Sequence, residues 1–225
     1  MSAARARFSG ELRQAADAIW EAQHQHPFVR GIGDGTLPAD RFRFYVRQDY
    51  VFLIDYARLL AMACARAPDL DTMRRFAELT QSTLGTELEL HRGYASEWGI
   101  ASAELDSERP APSTAAYTDF LLRTAALGDF GELVAALLPC MWGYSEIALR
   151  LAQHGRPADP LYARWIDLYA GDDFAQLADW CREVCDAAAA GLGDDGRARM
   201  RAAFLASSSH ELEFWESAWQ SAAAR

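Results

Sequence analysis

The stretch ADRFRFYVRQDYVFLIDYARLLAMACAR, residues 39–66, repeats apolar side chains at spacings of three and four and never in strict alternation. That period is what an α-helix needs to hold one face against a core. The face runs Phe42, Tyr45, Val46, Phe52, Leu53 and Tyr56, and it carries one residue foreign to a core, Asp49. The same period recurs along nearly the whole chain. It predicts an all-α protein with helices over residues 4–25, 39–66, 71–98, 115–127, 131–154, 161–169, 174–190 and 195–222, with ends placed to about 2 to 4 residues. Pro38 and Pro160 suit a first helical position, and Asp159 suits an N-cap. SERPAPST, ALGDFG, HGRPADP and GLGDDG read as connections too short to link domains. With 225 residues, 51% of them hydrophobic, the chain can bury one sizeable core, so a single domain over 1–225 is expected.

A net charge of −10 argues against nucleic-acid or anionic-membrane partners, which call for clustered basic surface. No stretch reads as long and apolar enough to span a bilayer, and no apolar run follows the N-terminal arginines. A cytoplasmic protein with a small-molecule or protein partner is expected. The four cysteines, Cys64, Cys140, Cys181 and Cys185, show no zinc-type pairing. Cys181 and Cys185 sit one helical turn apart, poorly placed to bridge, so reduced thiols are expected.

Two other helical faces repeat the anomaly of Asp49. Glu211, in SSSHELEFW, interrupts Phe204, Ser207, Phe214 and Ala218; Cys140, in LLPCMWGYSEI, lies within Leu133, Leu137, Tyr144, Ile147 and Leu151. Buried ionisable groups are costly unless paired or used in chemistry, so one shared site explains three anomalies more simply than three unrelated causes. Pro139 removes a backbone donor just before Cys140 and should kink the helix there. Tyr144, one turn on, could steady a thiolate. Asp49 could accept hydrogen bonds from an amino group on a heterocycle, and Glu211, raised by burial, could donate a proton near neutrality. Each has a plainer alternative: a small buried hydrophobe for Cys140, a partner of Arg47 or Arg43 for Asp49, a solvated ion pair for Glu211. Tyr169 closes a short helix before a glycine turn and can point into a cleft; Tyr117, in STAAYTDF, is a weaker candidate of that kind. For metals, a carboxylate di-iron site wants two Glu-x-x-His turns, and only Glu21 with His24 fits. His24 and His26 read as turn and surface residues. No metal or organic cofactor is expected.

Taken together, HPFVRGIGDGTLPADRFRFYVRQDYVFL, LLPCMWGYSEIA, YARWIDLYAGDDF and SSSHELEFW resemble the TenA family, thiaminase II enzymes of the haem-oxygenase-like all-α fold, in the family's order and along almost the whole chain. The cysteine of LLPC places the chain with the cysteine-bearing branch. The resemblance implies that Cys140 is a nucleophile toward a pyrimidine ring, Glu211 the proton donor, and Asp49 the group that binds the ring's amidine edge. It implies that Tyr144, Tyr169 and Phe214 line the site, with Tyr117 as a further candidate, and that the protein is a homotetramer. At Phe52 the family often carries a tyrosine whose hydroxyl assists the cysteine, so phenylalanine implies slower turnover unless another hydroxyl compensates. The implied activity is hydrolysis of 4-amino-5-aminomethyl-2-methylpyrimidine, or of thiamin, to the hydroxymethylpyrimidine. A non-catalytic pyrimidine-binding protein and a metal-dependent oxidative enzyme of the same fold are the alternatives.

Overall fold

The computed structural model describes residues 7–221. Helices occupy Phe8–Ala15 (α1), Asp17–Gln25 (α2), Pro27–Asp34 (α3), Ala39–Arg66 (α4), Leu70–Ser82 (α5), Leu88–Glu97 (α6), Ser102–Asp106 (α7), Pro112–Leu127 (α8), Phe130–Leu138 (α9), Tyr144–Gln153 (α10), Pro160–Tyr169 (α11), Asp172–Ala190 (α12) and Asp194–Gln220 (α13). Two joints are single π turns, Thr83–Glu87 between α5 and α6 and Pro139–Gly143 between α9 and α10. No strand occurs among the described residues. The expected helix ends at Ala4 and Ala222 lie outside them.

The apolar face of α4 is buried along its length, and α13 packs against α9, α8, α2 and α4, so these helices enclose the centre of the bundle. The segment expected as 131–154 is one continuous rod of α9, π turn and α10. Contrary to the sequence expectation, Phe130–Gln153 is long and apolar enough to cross a membrane. Burial of 78% of that apolar window inside the bundle accounts for its composition as core.

Local chemistry explains where the helices start and stop. Asp129 and Glu132 form a reciprocal capping box at the head of α9. Asp159 accepts from the Leu161 amide at 2.8 Å, with Pro160 in the first turn as expected, whereas Pro38 is itself the N-cap of α4. The expected helix 4–25 breaks at Ala16. α3 was not expected, because Pro27 reads as a stop; it is instead the first residue of a new helix. His26 Nδ1 caps that helix by accepting from the Phe28 amide at 3.2 Å, and Gly35 closes it at φ +77°.

Candidate active site

Asp49 faces inward from α4 and is 3% exposed. Its Oδ2 accepts from the Tyr45 hydroxyl at 3.0 Å and meets His91 Nε2 at 2.8 Å. His91 Nδ1 lies 2.8 Å from the Glu87 carbonyl. A carbonyl only accepts, so Nδ1 carries a hydrogen, and Nε2 is the nitrogen turned to the Asp49 carboxyl. Burial works against charge on His91, but the hydrogen bond and attraction of Asp49 outweigh it and raise its pKa. The arginines are engaged elsewhere: Arg47 pairs with Glu104 at 2.8 Å and with Glu108, and Arg43 sits over the Trp98 ring.

Cys140 lies in the second π turn. Pro139 has no amide hydrogen, so the helix widens there. Two carbonyls just upstream receive donors from other helices: Ala136 O accepts from Ser207 Oγ at 2.6 Å, and Leu137 O from the Tyr56 hydroxyl at 3.2 Å. Burial, then the charges of Glu211, Asp49 and Glu87, push the Cys140 thiol well above its ordinary value, while the neighbouring Tyr56 hydroxyl pulls the other way. The resting group is therefore a thiol.

Glu211 is 2% exposed, and burial, with the charge of Asp49 adding to it, pushes its pKa up to about 8 against the pull of a Tyr117 hydrogen bond. It holds its proton at neutral pH. Tyr117 lies 2.7 Å from Oε1 and 2.9 Å from Ser207 Oγ.

Aromatic rings fill the space between these groups. Phe52 lies 5.0 Å from Tyr117, 5.5 Å from Tyr56 and 5.9 Å from Phe214, centroid to centroid. On the other side Tyr144 meets Tyr169 at 5.0 Å and Trp215 at 5.2 Å. Tyr45 joins the halves through Phe214 and through the Trp165 indole, which donates to its hydroxyl at 3.1 Å. All eight residues singled out from the sequence are buried in one neighbourhood.

Sequence reasoning missed His91, Glu87, Tyr45, Tyr56 and Ser207. His91 follows Glu87 by four residues, a legible helical pair, but its partner on α4 is 42 residues away. Glu87 is buried in the first π turn, and burial followed by Asp49 pushes it up to about 7. His24 and His26, read as turn and surface residues, are buried ties instead: His24 Nε2 meets Glu146 and His26 Nε2 meets Glu216, each at 2.9 Å. The unexpected α3 folds this corner against α13. No group of three or more metal-ligating side chains stands together among the described residues.

The arrangement brings a thiol, a protonated carboxyl and a buried Asp–His pair together among aromatic rings, side-chain chemistry suited to a flat, amino-bearing heterocycle. Residues 13–221 match the family described as TENA/THI-4/PQQC. An aminopyrimidine aminohydrolase from Halalkalibacterium halodurans is 45% identical over 94% of this chain and 95% of its own. The solved TenA homologue from P. horikoshii is 32% identical, with a TM-score of 0.85 over 95% of this chain and 99% of that one. A heme oxygenase-like domain from Shewanella denitrificans, 16% identical, superposes with a TM-score of 0.74 over 95% of this chain and 92% of its own, which establishes the same fold.

Proposed function

The chain belongs to the TENA/THI-4/PQQC family, and on that premise we propose that it is an aminopyrimidine aminohydrolase of the thiaminase II type, hydrolysing 4-amino-5-aminomethyl-2-methylpyrimidine in thiamin salvage. The observation that carries the reading is Glu211, an acid poised near neutrality within the same aromatic enclosure as a thiol. Asp49, held by His91 and Tyr45, accepts from the ring's amino group and fixes its orientation. Rings of Phe52, Phe214, Tyr117, Tyr144 and Tyr169 stack around the pyrimidine.

Glu211 passes its proton to a ring nitrogen, which makes the adjacent carbon electrophilic. The sulfur of Cys140 bonds to that carbon as the thiol proton passes to the Glu211 carboxylate. Glu211 hands that proton to the exocyclic amine, which the enamine expels as ammonia; water adds to the methylene carbon and returns a proton to Glu211, and release of the sulfur restores the aromatic ring. The water proton restores Glu211 and the ring proton restores Cys140, so the balance is aminomethyl compound plus water to hydroxymethyl compound plus ammonia. Thiamin follows the same course with its thiazole as leaving group. The residues that conduct these steps are all the chain's own.

A cytoplasmic, single-domain homotetramer belongs to this reading. Its support is the unbridged state of all four cysteines and the exposed apolar side chains Leu70 and Met73 of α5 and Leu84 of the first π turn. Incubating the protein with the aminomethylpyrimidine and, separately, with thiamin tests the activity by release of hydroxymethylpyrimidine. Turnover of the first in preference to the second is the expected result; turnover of neither by folded protein removes the proposal.

A further inference from the structure

Ser207 has no part in the chemistry above, yet it is fully buried one helical turn before Glu211. It stands in a chain of three short contacts: Glu211 Oε1 to the Tyr117 hydroxyl at 2.7 Å, that hydroxyl to Ser207 Oγ at 2.9 Å, and Ser207 Oγ to the Ala136 carbonyl at 2.6 Å. Each oxygen–oxygen contact needs one hydrogen. Tyr117 and Ser207 bring one each, and the carbonyl brings none. With Glu211 ionised there are two hydrogens for three contacts. Tyr117 then donates to Oε1, Ser207 donates to Ala136, and the two hydroxyl oxygens face each other with nothing between. With Glu211 protonated there are three hydrogens for three contacts, all running one way, from the acid through Tyr117 and Ser207 to the carbonyl.

We propose that Ser207 is a positioning residue that, through Tyr117, holds the exchangeable proton on Glu211 in the resting site. The inference rests on the reading of Glu211 as the acid. It also explains how the acid is restored: once Glu211 has given up its proton, the relay is one hydrogen short, which favours taking a proton back as the sulfur bonds or as water adds. The relay ends one turn before Cys140, so the carbonyl that anchors it belongs to the segment that carries the nucleophile. The other ionisable groups facing Glu211 are Asp49 from α4, Tyr117 from α8, and Cys140 and Tyr144 from the second π turn and α10; His210 of its own helix stacks on the Tyr117 ring at 5.3 Å.

Two substitutions move the carboxyl in opposite directions. Ser207→Ala strands the Tyr117 hydrogen when Glu211 is neutral and leaves the Tyr117 bond to the carboxylate intact, so the neutral form loses a partner. The ionisation constant of Glu211 should rise on the order of tenfold, a midpoint about one pH unit lower. Tyr117→Phe removes the donor that the carboxylate needs most, and the midpoint should rise. The readout is the carboxyl carbon resonance of Glu211 in substrate-free, 13C-glutamate-labelled protein, assigned by its loss in Glu211→Gln and followed against pH. A lower midpoint in Ser207→Ala with a higher one in Tyr117→Phe is expected. An unchanged or raised midpoint in Ser207→Ala overturns the relay. Because no substrate is present, the relay can stand where the hydrolase reading fails, and the turnover assay separates the two.

Discussion

Replacing Glu211 with glutamine should make the protein more stable as the pH rises, and the size of the effect can be worked from the burial of one carboxyl. Below about pH 4.5 the folded and unfolded chains both hold the Glu211 proton, and above about 8 neither does. Between those limits only the folded chain holds it, so wild-type stability falls as pH rises through the window. At about 1.4 kcal/mol per pH unit, the interval from 4.5 to about 8 sets a ceiling of roughly 5 kcal/mol, of which about 3 kcal/mol is lost by pH 7. Glutamine keeps the shape and offers a donor to Tyr117 as the neutral acid does, but it does not titrate. Urea unfolding of wild type and Glu211→Gln at pH 5, 6, 7 and 8 measures the difference, and the titration of Glu87 near 7 cancels because both proteins contain it. The variant's advantage should grow by a few kcal/mol from pH 5 to pH 8. Parallel stability profiles would show that Glu211 ionises in the fold as it does in water and would refute its reading as a neutral acid.

Three further outcomes follow from the same geometry. The turnover rate should fall as pH rises through about 8, where Glu211 loses its proton, and this basic limb should be absent from the residual activity of Glu211→Gln; steady-state rates from pH 6 to 9.5 measure it. Tyr56→Phe removes the hydroxyl that partly offsets the raised pKa of Cys140, so alkylation of Cys140 by iodoacetamide at pH 8 should slow by up to about tenfold, read from the mass of the Cys140 peptide. His91→Ala leaves Asp49 buried without its imidazole partner and should cost about 3 to 5 kcal/mol in urea unfolding at pH 7.

The helical period carried most of the fold. Phe42 to Tyr56 on α4 and Phe204 to Ala218 on α13 are buried as the pattern requires, and the ionisable residues that interrupted those stripes meet in one place. Where the pattern failed, two local conformations shared one signal. Pro27 marks a stop and a start equally well, and only the capping contact of His26 with Phe28 decides for the start. The π turns at Thr83–Glu87 and Pro139–Gly143 change the register by a fraction of a turn, too little to disturb apolar spacing yet enough to re-aim Glu87 and Cys140. His91 and Ser207 were hidden for another reason. Each is an unremarkable member of an amphipathic helix until the tertiary fold brings up Asp49 or Tyr117. Phe52 was legible as a ring of the site, whereas the stacking of Tyr56 on it and the bond from the Tyr56 hydroxyl to the Leu137 carbonyl required the tertiary fold.

The central claim, that Cys140 performs the chemistry and does not merely line the site, is tested by Cys140→Ser. Release of hydroxymethylpyrimidine from the aminomethylpyrimidine is followed in wild type and variant, with ligand affinity measured on both by calorimetry. Turnover abolished with affinity largely kept is the predicted result. Turnover that survives in the variant would contradict the account.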